Sequence, residues 1–410
     1  MSNRKHRYTE EEAPRNTGSV NRPARLNMRL TCQVYGRTHK VFQRIRKMTG
    51  MRNEESYADV WEKRILPALE HIVWNADNAP RSTKNFVMEL FRPLPTEDYV
   101  RSQYERLKKR CDQLEYMLMA CMPAESRKTA IEILWNARKP GILDLSAPKT
   151  FGEKIQAIKL LGDDPLLTRL ADKYAVRDWV AERIGSEYLV PLLGVWKSAD
   201  EIDFAALPSS FVLKANHGYH MNIVVTDKAK LDVAKARRTL TDWLKTNFAF
   251  ANKLQMQYRA IPPRIIAEEY LENAGGQLYD YKFLCFKGRV HYIQFLRDRV
   301  GREVSCRFFD REWNALDFMQ GRRPKVVDLP PRPANLGRMI SLAEVLAKGF
   351  EFVRVDFYRL NDGTVKFGEM TFTPANGYDE WYPPEMNLRL GEFFDVRPGN
   401  RMIGSETPDD

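Results

Sequence analysis

The chain has 410 residues, of which 43% are apolar, 11% aromatic and 29% charged, a composition that supports several folded domains and excludes a stapled mini-protein or wholesale disorder. Its net charge of +11 is concentrated in residues 1–52, which hold 13 Lys/Arg against 3 Asp/Glu, so the rest is nearly neutral and no basic nucleic-acid-binding surface is expected. Cys32, Cys111, Cys121, Cys285 and Cys306 form no CxxC pair, no window approaches the roughly 20 apolar residues of a membrane span, and the N-terminus lacks a secretory apolar core, so a soluble cytoplasmic protein with reduced thiols is expected.

Residues 1–52 read as a basic, largely disordered arm, because the first 25 offer scarcely a large apolar side chain to bury. Two readings of the arm stay open: a solubilising tail, or peripheral attraction to anionic lipid at the inner membrane face, at about 1 kcal/mol per basic residue. Residues 53–147 read as a helical N-terminal domain, in which Val100, Tyr104, Leu107, Cys111, Leu114, Leu118 and Cys121 recur at spacings of four and three. The stripe suits packing against the Tyr57–Trp74 segment better than a short coiled-coil seam, and the oligomeric state is left open.

After Lys139-Pro140-Gly141 the texture becomes α+β. Helices are expected at Pro165–Arg183, Val233–Phe248 and Asn335–Lys348. Strands are expected at Phe211–Lys214, Ile223–Val225, Arg264–Tyr270, Tyr281–Phe286, Val290–Phe295, Phe352–Tyr358 and Val365–Glu369. Residues 148–395 are taken as one domain and 396–410 as a flexible tail. No internal repeat is present.

The most informative stretch is Arg354-Val355-Asp356, followed by Asn361-Asp362-Gly363 and then Glu369-Met370-Thr371. If Asn361-Asp362-Gly363 turns a hairpin, Asp356 and Glu369 fall on facing strands and can point the same way, as a shared Mg²⁺ requires. Two acids beside an arginine suit a nucleotide phosphate site, although a hairpin with two exposed acids is a common arrangement. Phe211-Val212-Leu213-Lys214 ends a buried strand in a lysine that can reach phosphate, before the loop His217-Gly218. Ile265-Ile266-Ala267-Glu268-Glu269-Tyr270-Leu271 is an apolar strand whose edge could face a purine.

These motifs, with Lys149-Thr150-Phe151-Gly152-Glu153-Lys154-Ile155-Gln156, Asp172-Lys173-Tyr174-Ala175-Val176-Arg177, Asp280-Tyr281-Lys282-Phe283 and Phe367-Gly368-Glu369-Met370-Thr371-Phe372-Thr373-Pro374, resemble the ATP-grasp superfamily over about residues 148–395. Within it they are similar to the TupA-like branch associated with teichuronopeptide and capsular polysaccharide synthesis. The resemblance implies two β-rich lobes clamping ATP with Mg²⁺, an acylphosphate made from a carboxylate substrate, and amide formation by an amine donor. It implies that Lys173 and Lys214 bind phosphate, that Glu268, Glu269, Tyr270 and Leu271 form the adenine hinge, and that Asp280 binds ribose. It further implies Arg354 as the arginine facing the transferring phosphoryl group and Asp356, Glu369 and Thr371 as metal ligands. His217, Gly218 and Asn222 fall in the loop expected to cover phosphate, and Lys282 is either a phosphate contact or a solvated strand lysine.

Two departures stand out: the loop His217-Gly218-Tyr219-His220-Met221-Asn222 has a single glycine, and Thr371 stands where most grasp enzymes have Asn. His291 reads as structural. Trp381 reads as packing of the C-terminal segment, although with Tyr382 it could line a sugar site. The expected function is an ATP-dependent carboxylate–amine ligase acting on a carboxylated sugar or acidic polymer in surface-glycan assembly. A phosphotransferase acting on a glycan hydroxyl and a catalytically silent binding module are the alternatives.

Overall fold

The computed structural model describes residues 112–139, 141–271, 278–297, 304–321 and 323–402. The chain divides after Arg110 into two compact units, and everything described belongs to the second. The basic arm and most of the heptad stripe therefore lie outside the described residues.

Residues 112–121 are helical, and the helices after them are α1 (Arg127–Asn136), α2 (Phe151–Leu160), α3 (Pro165–Ala171), α4 (Val176–Ile184), α5 (Val233–Leu244), α6 (Phe248–Ala251), α7 (Leu336–Ala347) and α8 (Glu385–Glu392). Strands β1 (Leu192–Trp196), β2 (Phe211–Ala215), β3 (Asn222–Val225) and β4 (Ile265–Glu269) form one antiparallel sheet in the order β1-β4-β2-β3. Strands β5 (Tyr279–Phe286), β6 (Arg289–Arg297), β7 (Ser305–Phe309), β8 (Ala315–Leu316), β10 (Phe352–Arg359) and β11 (Val365–Thr371) form a second, ordered β11-β10-β5-β6-β7-β8. The short β9 (Met319–Gln320) and β12 (Trp381–Tyr382) pair with each other. No helix among the described residues is long and apolar enough to cross a membrane.

Alternation along the strands decides which face each sheet buries. Tyr281, Phe283 and Cys285 of β5 join Val353, Val355 and Phe357 of β10 in a core covered by α3, α4 and α7. On the opposite face Leu284, Phe286 and Phe352 pack against Phe151 of α2 and Leu390 of α8, while Asp280, Lys282, Arg354 and Asp356 occupy the same face further along. Each large apolar side chain buried in this way contributes roughly 1.5–3 kcal/mol. The first sheet buries Phe211, Leu213, Ile265 and Ala267 under α5 and α6.

The expected helix over Pro165–Arg183 is broken. Asp172 Oδ1 accepts from the amides of Tyr174 (2.8 Å) and Ala175 (3.3 Å), which bends the chain between α3 and α4. β1 and β7 were not expected; β1 is half-buried throughout, without the alternation that marks a strand.

The boundary expected at 147/148 is not where the fold divides. Met119, Ile131 and Trp135 share a core with Leu254 and Met256, so the described part of the N-terminal helical segment packs on the body. The tail expected from 396 is likewise ordered as far as it is described: the Glu351 amide donates to Asn400 O at 3.0 Å, and Arg397 Nε donates to Glu351 Oε1 at 2.6 Å. A polar, Pro/Gly-containing stretch concealed these tertiary partners.

Candidate active site

The β10–β11 hairpin turns as expected at Asn361-Asp362-Gly363, where Gly363 takes φ +90°. Asp356 faces Glu369 in the ladder and Arg354 faces Thr371, with a register shift directly after Asp356. Gly368 lies at this shift, and a Cβ there would stand 3.1 Å from Asp356 O. The bulge lets two acids and an arginine crowd one patch of the sheet. Arg354 donates from Nε to Asp356 Oδ1 and from Nη2 to Asp356 Oδ2, both at 2.7 Å, and from Nη2 to Glu369 Oε1 at 2.8 Å. Thr371 Oγ1 accepts from Arg354 at 3.1 Å and donates to Glu369 Oε1 at 3.1 Å.

Lys282, opposite Asp356 on β5, donates to Asp356 and lies 3.0 Å from Asp280 Oδ2. Burial opposes ionisation of both acids, with opposite outcomes. For Asp356 burial prevails over Arg354 and Lys282, and the carboxyl is pushed up. For Glu369 the cations prevail over burial, Lys173 first and then Arg354 and Lys282, and hold the carboxyl down at about 2.

The first sheet brings its own cations. The Asp172 side chain that bends the chain also accepts from Asn216 Nδ2 at 2.8 Å, and the Lys173 amide donates to Asn216 O at 3.1 Å. This clip holds Lys173 beside the end of β2, where its ammonium donates to the Gly218 carbonyl. Lys214 donates to Glu268, whose other oxygen lies 3.2 Å from Arg177 Nη1. Burial disfavours charge on Lys214, but Glu268, Tyr358 and Glu369 outweigh it and raise the ammonium above the usual lysine range. Lys173 is lowered, by burial and by neighbouring Lys214, against the pull of Glu369. Lys173, Arg177, Lys214 and Glu268 line one cleft with Phe367 and Gly368 of β11, so the two sheets meet over it.

The structure thus assembles Lys173, Lys214, Glu268, Arg354, Asp356, Glu369 and Thr371 around one polar centre. Lys282 is buried and ion-paired, not solvated. Asp280 is fully buried beside it, so a ribose contact requires that pair to open. Glu269 is exposed at the end of β4, and Tyr270 and Leu271 are half-buried just beyond it.

His217 departs from its expected place over phosphate. Its ring is buried, with Nδ1 3.2 Å from Asn216 Oδ1 and Nε2 3.0 Å from Trp243 O, so both nitrogens face the lobe interior. Gly218 is required on packing grounds: a Cβ would stand 2.4 Å from Phe248 Cδ2 and 2.6 Å from Met221 Sδ. Asn222 is exposed at the start of β3, opposite Lys214. His291 rests against Phe393 with ring centres 4.5 Å apart, and Trp381 is buried against Phe151, as packing roles require. Arg177 stands in one of the quoted motifs but has no role assigned there, because helix α4 carries it to Glu268 only in the fold.

The profile of the TupA-like ATP-grasp family matches residues 153–395, more than half of the chain. The chain belongs to the TupA-like ATP-grasp family. No curated protein matches it. Among solved structures, an L-amino acid ligase from Bacillus licheniformis is 14% identical with a TM-score of 0.34, covering 55% of this chain and 48% of that one. The ATP-grasp ligase PsnB, with a phosphomimetic precursor variant, Mg and ADP, is 12% identical with a TM-score of 0.31, each chain covered to 58%. The chain spans about half the length of the solved structures it matches.

ATP-grasp ligases use ATP with Mg²⁺, and the residues present here can be tested against that ion. Among the described residues no group of three or more His, Cys, Asp or Glu side chains forms a metal cluster. Two opposed carboxylates and a hydroxyl nevertheless fit Mg²⁺, which takes one or two carboxylates and completes its shell with phosphate oxygens and water. Glu369 is the accessible member of the pair, its side chain 30% exposed against 3% for Asp356.

Proposed function

We propose that the protein is an ATP-dependent carboxylate–amine ligase that forms an amide on a carboxylated sugar or acidic polymer in surface-polysaccharide assembly. One observation carries the reading: Lys173, in the turn between α3 and α4, and Lys214 of β2 line one cleft with Phe367 and Gly368 of β11, and the neighbouring Glu369, held by Arg354, acts on both ammonium groups. Phosphoryl transfer depends chiefly on cations placed where charge develops, and this cleft supplies three.

In this reading Lys173 and Lys214 draw in the triphosphate, and Lys214 exchanges Glu268 for phosphate oxygen. Asp356 and Glu369 would hold Mg²⁺, which would supply charge neutralisation to the phosphates. An oxygen of the substrate carboxylate attacks the γ-phosphorus, the bond to the ADP oxygen breaks, and an acylphosphate results. The amine nitrogen then attacks the acyl carbon, inorganic phosphate leaves, and the amine gives up its proton as the amide forms. Arg354, already clamped in plane by Asp356 and Glu369, faces the transferring phosphoryl group without reorganising.

Hydroxylamine trapping tests the reaction. A ligase releases ADP only with a carboxylated acceptor and yields a hydroxamate. A stable phosphomonoester from a neutral hydroxyl acceptor, with no hydroxamate, assigns the protein as a phosphotransferase instead. Absence of ATP binding in folded protein removes both. The anionic-membrane role of residues 1–52 is a separate proposal, checked by salt-dependent sedimentation with anionic vesicles.

A further inference from the structure

Away from the phosphate cleft, three cationic side chains converge on one aromatic ring. Lys159 Nζ, Arg138 Cζ and Lys253 Nζ lie 5.4, 5.5 and 5.9 Å from the centre of the Tyr378 ring. They come from α2, from the turn after α1, and from a turn after α6 in which Lys253 and Leu254 both take positive φ. Tyr378 follows the short turn Pro374–Gly377 that leaves β11, so the cluster is tied to the strand bearing Glu369.

The cluster differs from the catalytic cations in its partners. Lys214 and Lys282 each hold a carboxylate, whereas Lys159, wholly buried, donates to the neutral Gln156 Oε1 at 2.9 Å. Burial pushes its ammonium well below the lysine range, and the charges that reach it, Lys253 and Arg138, push the same way. One carboxylate reaches the edge of the cluster: Glu115 Oε1, buried and without a hydrogen bond among the described residues, is 3.9 Å from Arg138 Nη2, and Glu115 and the exposed Asp112 act on Lys253, whereas no described acid acts on Lys159. Tyr378 Oη and Asn376 Oδ1 are buried with no hydrogen-bond partner among the described residues. A buried cation beside two others, with polar atoms left unsatisfied, is costly unless an anion completes the set.

We propose that Arg138, Lys253 and Lys159 around Tyr378 form an oxyanion subsite that holds an anionic group of the acceptor substrate. Arg138 and Lys253 supply charge-assisted donors beside the Tyr378 ring, and an anion bound there would favour the charged form of Lys159 beneath them. That the occupant is the acceptor rests on the ligase reading; that the subsite takes an oxyanion does not.

The test is calorimetric and NMR titration of the full chain, saturated with a non-hydrolysable ATP analogue, using D-glucuronate, inorganic phosphate and neutral D-glucose. Lys253→Gln and Lys159→Met are compared with the unmodified protein. Glucuronate is expected to bind where glucose does not, with affinity falling at least tenfold in each variant and nucleotide affinity unchanged. Lys159→Met is expected to melt no lower than the parent, since it removes a buried charge; if it does not fold, Lys253→Gln carries the test. Should phosphate and not glucuronate show this dependence on Lys253 and Lys159, the subsite stands and the acceptor is phosphorylated. If neither anion binds, or the variants bind as the parent does, the proposal is overturned. Persisting anion binding without hydroxamate formation would sink the ligase reading alone.

Discussion

Asp356 stands opposite Glu369 in the β10–β11 ladder, one pair before the register shifts, yet the two carboxylates are held in opposite protonation preferences. Arg354 touches both, but Glu369 also feels Lys173, from the turn between α3 and α4, ahead of Arg354 and Lys282. Under the proposed ligase reading both acids would face Mg²⁺, with Glu369 the more exposed and more readily ionised of the two and Asp356 the bidentate partner of Arg354.

Glu369→Gln preserves side-chain volume and removes that charge, so it should leave the fold intact while lowering Mg²⁺-dependent turnover by about 10²-fold. Steady-state ADP release at saturating ATP measures it. An unaltered rate would misplace the metal site.

The same variant has a pH signature. A carboxyl depressed from 4.5 to about 2 contributes stability that is present above pH 4.5 and lost as pH falls from 4.5 toward 2. Asp356, pushed up, runs in the opposite sense and gains protons more readily in the folded state. Thermal melts at stepped pH should show the parent exceeding Glu369→Gln by on the order of 1–3 kcal/mol at pH 7, with the gap closing near pH 2.

Arg354→Met should nearly abolish hydroxamate formation, by about 10²–10³-fold, with only modest change in ATP affinity. It also strips Asp356, which is 2% exposed, of its bidentate partner. Breaking one side of a buried ion pair costs roughly 3–5 kcal/mol, which Lys282 should partly offset, so a lower melting temperature is expected.

Gly218→Ala places a methyl group 2.4 Å from Phe248 Cδ2, and relief of that clash must move either the phenyl ring or the turn whose carbonyl anchors Lys173. A destabilisation of about 1–3 kcal/mol with weakened nucleotide binding is expected. Calorimetry with an ATP analogue, next to a thermal melt, separates the two effects.

Deletion of residues 1–25 should leave turnover on soluble acceptors unchanged, because that stretch offers almost no apolar anchor. Loss of activity in a normally folded truncate would mean that the arm completes the site.

The sequence by itself determined the strands that carry Lys214, Glu268, Asp356 and Glu369, and the hairpin that opposes the two acids. Alternation of apolar residues and an Asn-Asp-Gly turn are local signals that few neighbours can override. It also disclosed the family, through ordered motifs from Lys149 to Pro374. Only the tertiary structure decided that His217 faces inward, that Lys282 is a buried ion-pair partner, and that Arg177 reaches Glu268. It alone brought Arg138, Lys159 and Lys253 to one ring from positions 21 and 94 residues apart along the chain. The physical reason is common to these cases: a long polar side chain is directed by what packs beside it, and those neighbours belong to elements far away in sequence.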